Sequence, residues 1–197
     1  RLPKNRKIAL YCHDPALINS QRVIGLLPGE IFDAIQNSKP DIFWLVRFHP
    51  RALHLLKDFG DFCAVHDITN VEFELSSTMP IEQVMDVADV LLTKFSVSAL
   101  EAMSVGLPVI SHSWIGEVTF SAYKDSPLLA FASEPDDIIS AVLKARRAVP
   151  GKMARRSDKP FKYVNEDTEL SKEVFLSLLE PASSMLSQTS PRRPRAG

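Results

Sequence analysis

Apolar residues in this chain gather in short, nearly unbroken runs, and between the runs they recur at three- and four-residue spacing. KIALYCH at 7–13, IFWLVRFH at 42–49, VEFEL at 71–75 and VLLTKF at 90–95 read as strands, followed by PVISHS at 108–113. Most lack the alternation of a half-solvated strand, as expected when both faces of a sheet are covered. The intervening segments read as amphipathic helices. GEIFDAIQNS at 29–38 follows Pro28 and carries Ile31, Phe32 and Ile35 on one face, and PIEQVMDVA at 80–88 opens with Pro80 and repeats apolar residues at 81, 84, 85 and 88. SALEAMSVG at 98–106 forms a third helix, stopped by Gly106 with Pro108 beyond it.

Strands alternating with helices across short connections predict an α/β fold, a Rossmann-like, doubly wound and mainly parallel sheet flanked by helices. LLAFAS at 128–133 adds an edge strand, and DDIISAVLKARR at 136–147 a helix with an acidic start and a basic end, matched to the helix dipole. The segment 169–183 reads as a last helix. The organisation is therefore a linker over 1–6, one nucleotide-binding domain over 7–183 and a disordered Ser/Pro/Arg-rich tail over 184–197.

Composition narrows the classes. A chain of 197 residues, 45% hydrophobic and 24% charged, has material for one core. The first residue is Arg rather than Met, and a longer parent polypeptide with a further domain is expected. Net charge is -1 with the basic residues dispersed, which argues against a nucleic-acid partner, and PRRPR at 191–195 reads as solvated tail. Only Cys12 and Cys63 occur, without the spacing of a metal site, so a reducing compartment and no metal are expected. No run approaches a membrane span or a signal peptide.

In an open parallel sheet ligands bind at the carboxyl ends of the strands, and the candidate chemistry falls there. Arg47 and His49 lie two apart, hence on one face of a strand, with Pro50 ending it. They read either as donors to phosphate, with His49 steadying a departing phosphate, or as a satisfied strand-end pair. After the fourth strand, Ser96, Val97 and Ser98 open a helix whose free N–H groups suit phosphate, Lys94 adds charge, and Glu101 lies one turn in. Ser98 and Glu101 also match a capping box that needs no ligand. Thr78 reads at least as a helix cap ahead of Pro80. His13 and Asp14 end the first strand at the same edge, and His112 and Trp114 follow the fifth.

S-x-S-A-L-E-A-M-x-x-G-x-P-V-I at 96–110 resembles the donor-binding segment of the C-terminal domain of GT-B fold glycosyltransferases, an architecture shared with the nucleotide-sugar 2-epimerases. His49-Pro50 is similar to the HP motif of bacterial sialyltransferases and polyol-phosphate polymerases. The resemblance implies that Glu101 holds the ribose hydroxyls, that Ser96 to Ser98 face the phosphates, that His49 contacts the donor phosphate, and that Thr78, Met79 and Ile81 border the base. A Gly-Glu turn also recurs in that family, as at Gly116 and Glu117. Retaining members carry a second glutamate eight positions before the first. Here that position is Thr93, which favours inverting transfer with the general base in an absent N-terminal domain.

The resemblance thus implies transfer from a CMP-, CDP- or UDP-linked sugar, or a polyol phosphate, to a glycan acceptor in building a surface polysaccharide such as a capsule. It implies no added cofactor and a cytoplasmic location, at most against the inner membrane face. A half of a 2-epimerase and a non-catalytic module retaining the fold are the alternatives, the latter favoured to the extent that Arg47, His49 and Glu101 are paired internally.

Overall fold

A computed structural model describes residues 3, 5–14 and 22–148, all within the compact unit Arg1–Pro150. The helix expected at 169–183 and the tail over 184–197 lie outside the described residues.

The elements run β1 (Lys7–Cys12), a small hairpin of β2 (Val23–Ile24) and β3 (Leu27–Pro28), α1 (Gly29–Asn37), β4 (Ile42–Arg47), a 3-10 helix (Pro50–Leu55), α2 (Leu56–Val65) and β5 (Val71–Glu72). Then follow α3 (Glu74–Thr78), α4 (Ile81–Val87), β6 (Val90–Thr93), α5 (Ser98–Ser104), β7 (Val109–Ser111), α6 (Trp114–Thr119), β8 (Leu129–Phe131) and α7 (Pro135–Lys144). The main sheet has six strands in the order β5-β4-β1-β6-β7-β8, every pair parallel. The chain adds strands outward on one side of β1, crosses back through α3 and α4, and adds the rest on the other. The expected doubly wound Rossmann-like sheet is therefore present, with β8 at one end of it.

Successive strand residues face opposite sides of the sheet, and both sides are apolar. Ala9, Tyr11, Trp44, Val46, Leu92 and Ile110 join α1, α2 and α7 in one core layer. Leu10, Leu45, Leu91 and Val109 join α4 and α5 in the other. Burial on two faces explains why these strands read as unbroken apolar runs. The indole of Trp44, fully buried, donates to Ser38 Oγ at 3.0 Å, and that hydroxyl donates to Ala34 O at 2.6 Å, so the largest core side chain leaves no polar atom unmatched.

Several boundaries differ from the sequence reading for local reasons. VEFEL is a strand only at Val71–Glu72. The Glu72 carboxylate accepts from the N–H groups of Leu75 (2.6 Å) and Ser76 (2.8 Å), which turns the chain into α3. Helix α7 ends at Lys144 rather than 147, because Ala145 adopts ψ 136. Helix α5 stops as expected, with Gly106 at φ 77 beyond its C-cap.

Candidate functional site

Chain direction reverses at β1, so the carboxyl ends of β1 and β6 stand side by side and open the crevice where such folds bind ligands. The ends of β4 and β7 flank it, and the side chains divide into two sets, one buried toward α1 and one along an exposed rim.

On the rim, β4 stops at Arg47, and the two side chains expected to converge part company. Arg47 Nη1 donates to the carbonyls of Ser76 and Met79, the latter at 2.8 Å, and so brackets the α3–α4 loop to the strand end. The same loop is stitched by Phe48 N–H to Ser77 Oγ (2.9 Å) and Ser76 Oγ to Val46 O (3.0 Å). His49 has left the strand. It is exposed and caps the 3-10 helix, its Nδ1 accepting from Arg51 N–H at 3.2 Å. An accepting Nδ1 places the proton of the neutral ring on Nε2, which makes His49 a donor at that nitrogen.

Thr78 does not cap α4, as the sequence reading had it. It is the last residue of α3, its hydroxyl donates to Glu74 O at 2.9 Å, and Pro80 occupies the N-cap position of α4. Both backbone groups of Met79 are engaged, the N–H with Leu75 O (2.9 Å) and the carbonyl with Arg47. Ile81 begins α4, where first-turn N–H groups lack intrahelical acceptors.

The Ser98–Glu101 capping box is not formed either, since the N-cap of α5 is Val97. Instead Thr93 Oγ1 accepts from Ser96 N–H (3.1 Å), and Ser96 Oγ accepts from Ser98 N–H (3.3 Å) and lies 2.8 Å from Ser98 Oγ. A chain of small hydroxyls therefore shapes the loop one residue earlier than a box would. Ser96 and Val97 are exposed, Ser98 is buried, and Glu101 is exposed with no hydrogen-bond or ion-pair partner for its carboxylate among the described residues.

Toward α1 the arrangement is closed. Lys94 is 3% exposed and faces Asp14 Oδ2 at 4.0 Å. Burial pulls its pKa below the ordinary value, opposed by the carboxylates of Asp14 and Glu30. His112 Nδ1 lies 3.1 Å from Glu30 Oε1. Burial works to raise the Glu30 pKa, but the hydrogen bond from His112 outweighs it, and the carboxyl stays below its usual range. His13 Nε2 donates to Leu26 O at 2.6 Å while its ring stacks on Phe48, and burial lowers its pKa. Asp14 was a candidate at the end of the first strand, whereas Glu30 carried no more than a helix signal, and the sequence did not show that both approach Lys94.

Helix α6 seals this edge. Ser113 accepts from Gly116 N–H at 3.3 Å, and Ser111 Oγ donates to Lys94 O at 2.8 Å. A Cβ on Gly116 would sit 1.7 Å from Ser111 Oγ and 2.2 Å from Lys94 O, so only glycine permits this approach. Trp114 opens the helix and is 63% exposed. Among the described residues no group of three or more His, Cys, Asp or Glu could hold a metal ion, and no helix is long and apolar enough to cross a membrane.

No family model matches the sequence, and no curated protein matches it. Solved structures do match. The UDP-GlcNAc 2-epimerase from Methanocaldococcus jannaschii is 18% identical with TM-score 0.53, over 75% of this chain and 41% of that one. A variant of the wall teichoic acid polymerase TagF is 13% identical with TM-score 0.51, over 95% and 46%. A TagF variant soaked with CDPG is 12% identical with TM-score 0.50, over 94% and 46%. The chain spans less than half the length of each, and at these identities the likeness is one of fold. That fold is the Rossmann-like α/β architecture found in these GT-B enzymes.

Proposed function

We propose that this chain is the donor-binding half of a glycosyltransferase-type enzyme, taking a CMP-, CDP- or UDP-linked sugar or a polyol phosphate at the carboxyl edge of the sheet. One observation carries the reading: at the crevice of a GT-B-like sheet, Glu101 presents an exposed carboxylate with no hydrogen-bond or ion-pair partner among the described residues, and the exposed His49 keeps its Nε2 as a donor. In the proposal Glu101 binds the ribose hydroxyls, as carboxylates accept two hydrogen bonds from a vicinal diol. The loop of Ser96, Val97 and Ser98 faces the phosphates, with Lys94 contributing its field from below. His49 donates to the departing phosphate and stabilises the charge that develops there.

Arg47 takes a different part from the direct phosphate contact that its strand position implies. It holds the α3–α4 loop, where Thr78, Met79 and the Ile81 amide border the base. Thr93 stands where a retaining enzyme has its second glutamate, so transfer is inverting and an acceptor-side base in a further, N-terminal domain completes the reaction. The glycan acceptor, the building of a surface polysaccharide and a place on the cytoplasmic side of a membrane belong to this same proposal, which needs no added cofactor. The likeness to the 2-epimerase supports a second reading, half of a nucleotide-sugar epimerase, which uses the same nucleotide site.

Calorimetric titration with CMP, CDP, UDP and GDP, each against its nucleoside, tests the site. Saturable binding that depends on the phosphate is expected for one base. Equal loss of nucleoside and nucleotide affinity in His49→Ala would remove His49 from the phosphate.

A further inference from the structure

The two edges of the main sheet are finished differently. At one edge β5 has two residues, and Glu72 turns the chain away by taking the N–H groups of Leu75 and Ser76, a short, charged edge of the kind that discourages further pairing. At the other edge β8 lies within LLAFAS, 128–133, which holds neither charge nor proline, and among the described residues no strand pairs with its outer side. Val109 N–H donates to Leu128 O and Ala132 N–H to Ser111 O, so the even-numbered residues of the run turn their backbone groups toward β7. The odd-numbered ones turn outward. Leu129 gives its N–H to Ser126 O at 3.1 Å. That leaves the Leu129 carbonyl and both backbone groups of Phe131 directed off the sheet, with the Ser133 N–H next in the series.

A cleft of about 560 Å³ opens beside this edge, between β8 and α7. Ile110 lies in the core layer that α7 covers, and Ala130 pairs with it across β7 and β8, so the exposed Ala130 floors the cleft. The far wall is α7, with Ser140, Lys144 and, just past the helix end, Arg146. Lys144 and Arg146 are exposed and stand toward the amino ends of the strands, where Pro108 and Pro127, which precede β7 and β8, line the same cleft. Glu134 and Asp136, also exposed, follow β8 at its carboxyl end. The edge therefore has a basic end and an acidic end.

We propose that β8 pairs antiparallel with β8 of a second copy of this chain, about a two-fold axis at Phe131. Such a pair is isologous, so every contact is made twice. Phe131 exchanges N–H···O bonds with Phe131 of the second copy, and the Leu129 carbonyl of each copy accepts from Ser133 N–H of the other, which uses the outward groups of the edge. The two phenyl rings then meet as a cross-strand aromatic pair. The same axis lays the acidic end of one edge beside the basic end of the other, bringing Glu134 toward Lys144 and Arg146. Any extended strand could meet the backbone groups, but a second copy supplies the reversed order of charge by symmetry alone. The candidate nucleotide site stands at the ends of other strands, and this inference is independent of the donor reading.

The test is sedimentation equilibrium of the 197-residue chain over a dilution series up to about 1 mM, a range that covers a weak interface. The average mass is expected to rise from that of one chain toward that of two. Ala130→Lys sets two ammonium groups within diagonal cross-strand reach of each other, and is expected to weaken association about tenfold or more with the melting temperature unchanged. Lys144→Glu and Glu134→Lys are each expected to weaken it, and the double variant to restore most of the loss, because each reversed charge then meets its reversed counterpart on the other copy. A one-chain mass throughout overturns the inference, as does a dimer that Ala130→Lys leaves intact, or a double variant that dimerises no better than either single one. If Ala130→Lys does not fold, the charge swap gives the same decision, since both of its positions are exposed.

Discussion

The two halves of the carboxyl edge, centred on strand ends that neighbour one another, have opposite characters. Toward α1, Lys94, Asp14, Glu30, His112 and His13 are buried or nearly so and engaged with one another or with backbone. Along the rim, Glu101, Ser96 and His49 stand in solvent with capacity left over. Contacts made inside the protein stabilise it and preset geometry, whereas groups left open add little to stability and are available to a ligand. A substitution on the closed side should therefore register in melting and pH curves, and one on the rim in affinity.

The largest effect is expected where the closed side is sealed. Gly116→Ala places a methyl group inside the contact distance of Ser111 Oγ and the Lys94 carbonyl, and should cost about 3 kcal/mol or more, visible as a large drop in melting temperature. His112→Ala leaves the Glu30 carboxylate without its donor in a half-buried place and should cost about 2 kcal/mol by denaturant titration. If it costs nothing, the division between the halves is wrong.

Acid should also act on the closed side. Burial holds the pKa of His13 below its ordinary 6.5. A group with a depressed folded-state pKa stabilises the fold above its unfolded value, and that contribution is lost as pH falls through the folded value. Stability should thus decline once pH drops below 6.5, with a further decline below 4.5 as Glu30, whose pKa is also lowered, takes up its proton. Melting curves across that range should show the first decline flattened in His13→Gln.

On the rim, Glu101→Ala should leave the melting temperature within error and weaken nucleotide binding about tenfold, the scale of a hydrogen-bonded charged group. Smallest of all, Thr78→Ala should change stability by less than about 0.5 kcal/mol, because its hydroxyl only bonds back to Glu74 O. A loss near the ~1 kcal/mol of a true N-cap would show that the hydroxyl does cap α4.

Much of the sheet was legible because burial on two faces leaves a plain trace in composition, as in Ile42–Arg47 and Val90–Thr93. What escaped depended on contacts distant in sequence or on local competition. Helix α2 presents Phe59 and Cys63 to the core, yet follows a proline and a 3-10 turn that blur its start. Glu72 read as strand until its carboxylate was seen to cap the next helix. The box suggested by Ser98 and Glu101 failed because Ser96 reaches the Ser98 amide first. His49 and Glu101 could be picked out from their strand-end and helix-start positions. The Glu30–His112 pair could not, since 82 residues separate its members and nothing in either segment names the other.

The chain has two tryptophans, and their placement makes it its own optical reporter. Trp44 is sealed in the core with its indole bonded to Ser38, while Trp114 stands in solvent at the start of α6, beside the crevice. A water-soluble quencher should extinguish only the red-shifted component of the emission, leaving a blue one that vanishes on unfolding. Ligand arrival and loss of the fold can then be followed separately in one cuvette, without a label.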